Sequence, residues 1–143
     1  MSKIFTQIVA RPDSSRTALR IEEEGFDGIS FVDSQNLSGD VYVAMATAAV
    51  ATETLELSTG VTNPVTRHPA VTASAIGSVQ RVAGDRVQLG IGRGDSALAH
   101  IGRGPARVVD FERYLIAVQK YLKGEEVLFE DLTFGETVSR GVD

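Results

Sequence analysis

Leu55 to Ser96 reads LELSTGVTNPVTRHPAVTASAIGSVQRVAGDRVQLGIGRGDS, and this stretch decides the fold. Leu55 and Leu57 alternate with polar residues, as on a strand, until Gly60-Val61 breaks the pattern. A polar loop follows, Thr62 to His68. A small-residue helix then starts at Pro69, where the missing N–H costs nothing, and stops at Gly84. A second apolar run, Val87 to Ile91, ends in Gly92-Arg93-Gly94-Asp95-Ser96. The order is strand, loop, helix, strand, loop, and the two strand ends should lie side by side.

The same rhythm runs outward in both directions. Upstream, Ile4 to Val9 is rich in branched and aromatic residues and reads as a strand. A helix over Thr17 to Glu24 follows, with Asp13 or Ser14 as its N-cap and Gly25 closing it. Phe26 to Val32 reads as the second strand, ending in the polar cluster Asp33-Ser34-Gln35-Asn36. Asp40 caps the next helix, Val41 to Thr52, whose VYVAMATAAVAT is so uniformly apolar and small that burial on most sides is expected. Downstream, Gly102 to Pro105 forms a hinge-like break. A helix from Ala106 to Lys123 carries Val108, Phe111, Leu115, Val118 and Leu122 at spacings of three and four. The tail from Glu125 to Asp143 alternates apolar and polar residues and reads as a loose hairpin.

The chain therefore divides into four βα units over 1–124 and a hairpin-like tail over 125–143. Strand–helix alternation of this length implies an α/β fold with a parallel sheet. In such sheets function sits at the C-terminal strand ends. Here those ends are Arg11, Asp33-Ser34-Gln35, Gly60 to Asn63, and Gly92 to Ser96, all more polar than the strands leading into them. The opposite turns are short and connective. A closed (β/α)8 TIM barrel needs eight units, so four units make half of one and leave two open sheet edges. Three arrangements answer this: an open sheet, two chains completing one core as a homodimer, or half of a longer protein.

Composition excludes several functions. The 143 residues carry 43% hydrophobic and 23% charged residues, ordinary for one globular domain. No apolar run is long enough to span a membrane, and MSKIFTQIVARPD lacks the apolar core of a signal peptide. The absence of cysteine excludes thiolate metal sites and fits a cytoplasmic location. A net charge of −5 without a basic stripe argues against nucleic acid. Two histidines, His68 and His100, cannot assemble a multi-histidine metal centre in one chain, so no metal site is expected. Gly90-Ile91-Gly92-Arg93-Gly94 does not complete G-x-G-x-x-G, which argues against a Rossmann site.

GVTNPVTRHPAVTASAIGSVQRVAGDRVQLGIGRGDS resembles the bacterial-luciferase-like superfamily of flavin- and deazaflavin-dependent oxidoreductases. The TNP-x-TRHPA loop and the LGIGxGDS strand end are most similar to the methylenetetrahydromethanopterin-reductase-type branch. EEEGFDGISFVDS and KGEEVLFED add to the likeness, which covers the N-terminal half of a family member. The resemblance implies coenzyme F-420, or FMN as in sister branches, and hydride transfer with a small organic substrate. It implies that Gly60-Val61 forms a third-strand bulge, often with a non-prolyl cis peptide, that buttresses the ring. It places Gly60, Val61, Thr62 and Asn63 on one side of the cofactor. Gly92, Arg93, Gly94 and Asp95 lie at the ring edge or side chain, and Asp33 is the catalytic acidic position. Where many relatives follow that acid with histidine, this chain has Ser34. The family's main phosphate site lies in later loops that are absent here.

Each residue also has a plainer reading. Asp33 is a general acid or substrate-orienting carboxylate, or a turn residue accepting from backbone N–H groups. Asp95 orients a cofactor hydroxyl, or caps a helix. His68 touches the cofactor or fixes its loop by hydrogen bonds, and Arg67 neutralises a ligand anion or forms a surface ion pair. The function implied is a luciferase-like oxidoreductase of monooxygenase or reductase type. The alternative is a non-catalytic, truncated half-barrel that dimerises as an assembly or flavin-binding module.

Overall fold

Glycine and proline punctuate the chain where the sequence pattern breaks, and the elements fall between them. The computed structural model describes residues 2–128 and 132. In chain order these are β1 (Phe5–Val9), α1 (Ser14–Glu23), β2 (Gly28–Val32), α2 (Val41–Ala51), β3 (Glu56–Thr59), α3 (Pro69–Ala83), β4 (Val87–Gln88), α4 (Ser96–Ala99) and α5 (Val108–Lys123). All four strands are parallel, in the order β1-β2-β3-β4. This is the expected four-unit α/β sheet, with β1 and β4 at its edges among the described residues. The expected hairpin over 125–143 lies almost wholly outside the described residues.

One face of the sheet carries the core. Ile29, Phe31, Leu55 and Leu57 pack there with Ala18 and Ile21 of α1, Met45 and Ala48 of α2, and Ile76 and Val79 of α3. The small residues of α2 and α3 let backbones approach closely. α2 buries Val41, Tyr42, Ala44, Met45, Ala48 and Ala49, as its composition suggests, and leaves an outer stripe with Val43 and Val50 exposed. The helix forms the outer layer of the chain, so the sheet and the flanking helices cover only part of it.

The middle of the opposite face is polar, with Phe5, Val9 and Val32 toward its ends. The register sets Gln7 beside Ser30, Ser30 beside Ser58, and Ser58 beside Gln88. Ser30 and Ser58 share a hydrogen bond of 2.6 Å. Gln88 donates to Glu56 at 2.8 Å, and Lys3 pairs with the same carboxylate. A face of this kind is satisfied by its own side chains and by water.

Two charged residues bind the N-terminal end of the sheet. The Glu22 carboxylate accepts from the backbone N–H groups of Glu53, Thr54 and Leu55 and from the Thr54 hydroxyl. It thereby holds the turn into β3. Arg86 donates to the carbonyls of Ala49, Thr52, Leu55 and Ala83, closing the C-terminus of α2 and tying β4 to it.

Candidate active site

The C-terminal ends of β2, β3 and β4 converge as the sequence predicts. They enclose a cleft of about 450 Å³ lined by Val32 to Ser34, Gly60 to Asn63 and Gly92 to Ala97. Asp33, Gly60, Val61, Thr62, Asn63, Gly92, Arg93, Gly94 and Asp95 are therefore all brought to one place.

β3 leaves regular pairing at a cis peptide between Gly60 and Val61. Beyond it the chain rejoins the sheet. Thr62 N–H donates to the Gly90 carbonyl at 3.0 Å, and Gly92 N–H donates back to Thr62 at 2.9 Å. Gln7 on β1 fixes the bulge from below, donating to the Gly60 carbonyl at 2.5 Å. Val61 projects outward, 53% exposed, above two glycines. A Cβ on Gly92 would sit 3.3 Å from Val61 Cγ2, and one on Gly90 would sit 2.2 Å from the Thr59 carbonyl oxygen. The chain after β4 passes the Thr59 carbonyl this closely only because Gly90 lacks a side chain.

The rim is polar. Gly94 turns the last loop with φ of 92°, against Leu98. Arg93 and Asp95 are exposed, and Arg93 is the one cation lining the cleft among the described residues. Asp95 stands at the N-cap position of α4, yet its side chain makes no capping bond. The Asn63 side-chain oxygen is spent within its own loop, accepting from Val65 and Thr66 N–H at 3.0 and 3.1 Å. His68 fixes its loop, its Nδ1 accepting from Ala70 N–H as the N-cap of α3.

Behind the cleft wall lies a charged cluster that was not legible as a unit. Asp33 is 3% exposed. Its Oδ2 accepts from Arg67 Nη1 at 2.5 Å and from the Thr62 hydroxyl at 2.7 Å. Its Oδ1 accepts from Arg67 Nη2 at 3.2 Å and from Gln35 at 2.8 Å. The partners of Asp33 are therefore side chains, not the backbone N–H groups of a simple turn. Arg67 also reaches Asp40 at 2.9 Å and lies over the Tyr42 ring, 5.1 Å from its centroid. Its side chain is 13% exposed, so it forms an interior pair and not a surface one. Burial disfavours the Arg67 charge, but the hydrogen bonds and charges of Asp33 and Asp40 outweigh that and raise its pKa. Asp40 serves twice, since its Oδ1 caps α2 by accepting from Tyr42 and Val43 N–H.

α5 closes the cluster from outside. The Tyr114 hydroxyl shares a 2.6 Å hydrogen bond with Thr72 and donates to the Arg67 carbonyl at 3.0 Å. Desolvation pushes its pKa up to about 12. The expected apolar stripe of α5 does not contain Tyr114, and of its members Val118 is buried while Val108 and Leu122 are exposed. The signal available in sequence was the recurrence of Asp33, Asp40 and Arg67 at the functional end of successive units.

The model of the family described as luciferase-like monooxygenase matches residues 9–136. This chain belongs to that family. It is 36% identical over 116 residues to the 5,10-methylenetetrahydromethanopterin reductase of Methanolobus tindarius, covering 76% of this chain and 34% of the relative. It is 40% identical over 102 residues to the Archaeoglobus fulgidus enzyme of the same name, covering 71% and 27%. The luciferase-like chain thus spans well under half the length of these relatives.

Solved structures agree on the fold. The coenzyme F-420-dependent tetrahydromethanopterin reductase of Methanopyrus kandleri superposes with a TM-score of 0.65 at 29% identity, over 71% of this chain and 30% of that one. A type II Baeyer–Villiger monooxygenase of Pseudomonas putida, in complex with FMN, gives 0.68 at 20% identity, over 83% and 38%. At that identity the second likeness speaks to fold alone. No described helix is long and apolar enough to cross a membrane.

Proposed function

We propose that this chain forms the ring-facing wall of an oxidoreductase that uses coenzyme F-420 or FMN to exchange hydride with a small organic substrate in the cytoplasm. The observation that carries this reading is the cleft at the ends of β2 to β4, where a glycine-bounded bulge presents Val61 to the opening. An apolar floor with polar edges suits a flat ring with polar substituents. The bound ring would supply the hydride acceptor or donor; the protein supplies orientation and electrostatics.

In this reading Val32 and Val61 back the ring and exclude water from one face. Gly60, Thr62 and Asn63 hold that backing in place. Gly92, Arg93, Gly94 and Asp95 form the ring edge, with Arg93 offering a positive charge to an anionic side chain. Asp33 steadies the cleft wall, because its oxygens are already committed to Arg67, Thr62 and Gln35. Titrating the purified chain with F-420 and with FMN, and following their fluorescence, tests the proposal. Saturable quenching with at least one is expected, and no change with either overturns it.

A second reading is a non-catalytic half-barrel module that dimerises through the open edges of β1 and β4. The edge positions of β1 and β4 in the four-stranded sheet favour it. Light scattering separates the two: a strict monomer defeats dimerisation, and a dimer that binds neither ring supports the module.

A further inference from the structure

We propose that Arg67 is the positioning residue of the cleft, fixing the reactive wall through Asp33 and Thr62 without touching the ligand. The role in ligand binding rests on the reading above; the role in ordering the wall does not.

The argument is geometric. One guanidinium connects three separate elements. It meets Asp33 at the end of β2 through both carboxylate oxygens, Asp40 before α2, and the Thr62 hydroxyl at 3.4 Å. Thr62 is the residue that rejoins β4 after the bulge, through its bonds with Gly90 and Gly92. The path from Arg67 to the cleft surface is thus one side chain long. Arginine suits this place because its planar fork engages two carboxylates at once, which an ammonium cannot do in the same geometry. The cation also leaves Asp33 charge-compensated behind the wall.

The test uses the full chain without ligand. Amide hydrogen exchange is measured for the wild type, Arg67→Gln and Arg86→Gln. The last is a destabilising control at the far end of the sheet. Exchange at Thr62 and Gly92 should rise at least tenfold in Arg67→Gln beyond any rise at Ala18 and Ile21 of α1. In Arg86→Gln no such excess should appear. Equal exchange at Thr62 and Gly92 in wild type and Arg67→Gln overturns the proposal. So does a rise that Arg86→Gln reproduces. If Arg67→Gln does not fold, Arg67→Lys carries the same measurement, with an intermediate excess expected and no excess overturning.

Titration with F-420 and FMN adds the ligand arm. If wild type binds one of them, Arg67→Gln should bind it at least tenfold more weakly, and affinity within twofold of wild type overturns the role in binding. If wild type binds neither, the functional reading fails, while the exchange data still decide whether Arg67 orders the wall.

Discussion

Asp33 and Arg67 face each other twice, Oδ2 to Nη1 at 2.5 Å and Oδ1 to Nη2 at 3.2 Å, across 34 positions of sequence. The carboxylate is buried and the cation nearly so. Removing one partner of such a pair leaves the other poorly solvated, which is where most of the cost arises. Asp40 still holds Arg67 when Asp33 is gone, so the loss is softened. Asp33→Asn should therefore cost about 2–3 kcal/mol, read from urea unfolding. An unchanged midpoint would mean that the pair contributes nothing to folding.

Gly90 lies against main chain, not against a side chain that could swing away. A Cβ there would come 2.2 Å from the Thr59 carbonyl oxygen. The Gly90 carbonyl also accepts from Thr62 N–H and the Thr59 hydroxyl. Gly90→Ala should destabilise by about 1–3 kcal/mol and loosen the Thr62 bridge. Gly77→Ala, where nothing lies within 4 Å, should not. Thermal unfolding of the two variants side by side checks this.

Glu22 should give the chain part of its acid sensitivity. Burial opposes its charge, yet the backbone N–H groups of Thr54, Leu55 and Glu53 outweigh burial and lower its pKa below 4.5. A carboxylate depressed in the folded state stabilises above its unfolded pKa, and that stability is lost as pH falls through the folded value. Glu22→Gln should cost about 1 kcal/mol at pH 7, allowing for solvent screening. Its unfolding free energy should then converge with that of wild type below pH 4. A constant gap from pH 7 to pH 3 would assign the acid sensitivity elsewhere.

Arg86 is spent on backbone carbonyls and the Thr52 hydroxyl. A lysine keeps the charge but cannot reach four carbonyls from one nitrogen. Arg86→Lys should therefore behave more like a deletion than a conservative change, losing about 2 kcal/mol. Equal stability of wild type and variant in guanidinium chloride would show that charge alone suffices.

The order of elements was legible because its signals are local. Gly25, Gly84 and Gly124 end their helices with positive φ, as their positions promised. Asp40 caps α2 through its side chain as expected. β4 is shorter than the apolar run Val87 to Ile91 suggests, since pairing stops at Gln88 and resumes only at the Thr62–Ile91 bridge. α4 was missed because four residues carry no periodicity. The convergence of Gly60 to Asn63 with Gly92 to Asp95 followed from topology alone. The partners of Asp33 did not, because contacts between Asp33, Arg67 and Tyr114 depend on how three loops and a helix are set in space.

The polar row Gln7, Ser30, Ser58 and Gln88 bears on how a barrel of this kind closes. A row of amides and hydroxyls across the middle of the face tolerates hydration. Closure against such a face exchanges bound water for partner groups and releases little hydrophobic energy. The seam would then be governed by strand registry at β1 and β4, and by the fit of hydrogen-bonding groups across a wet interior.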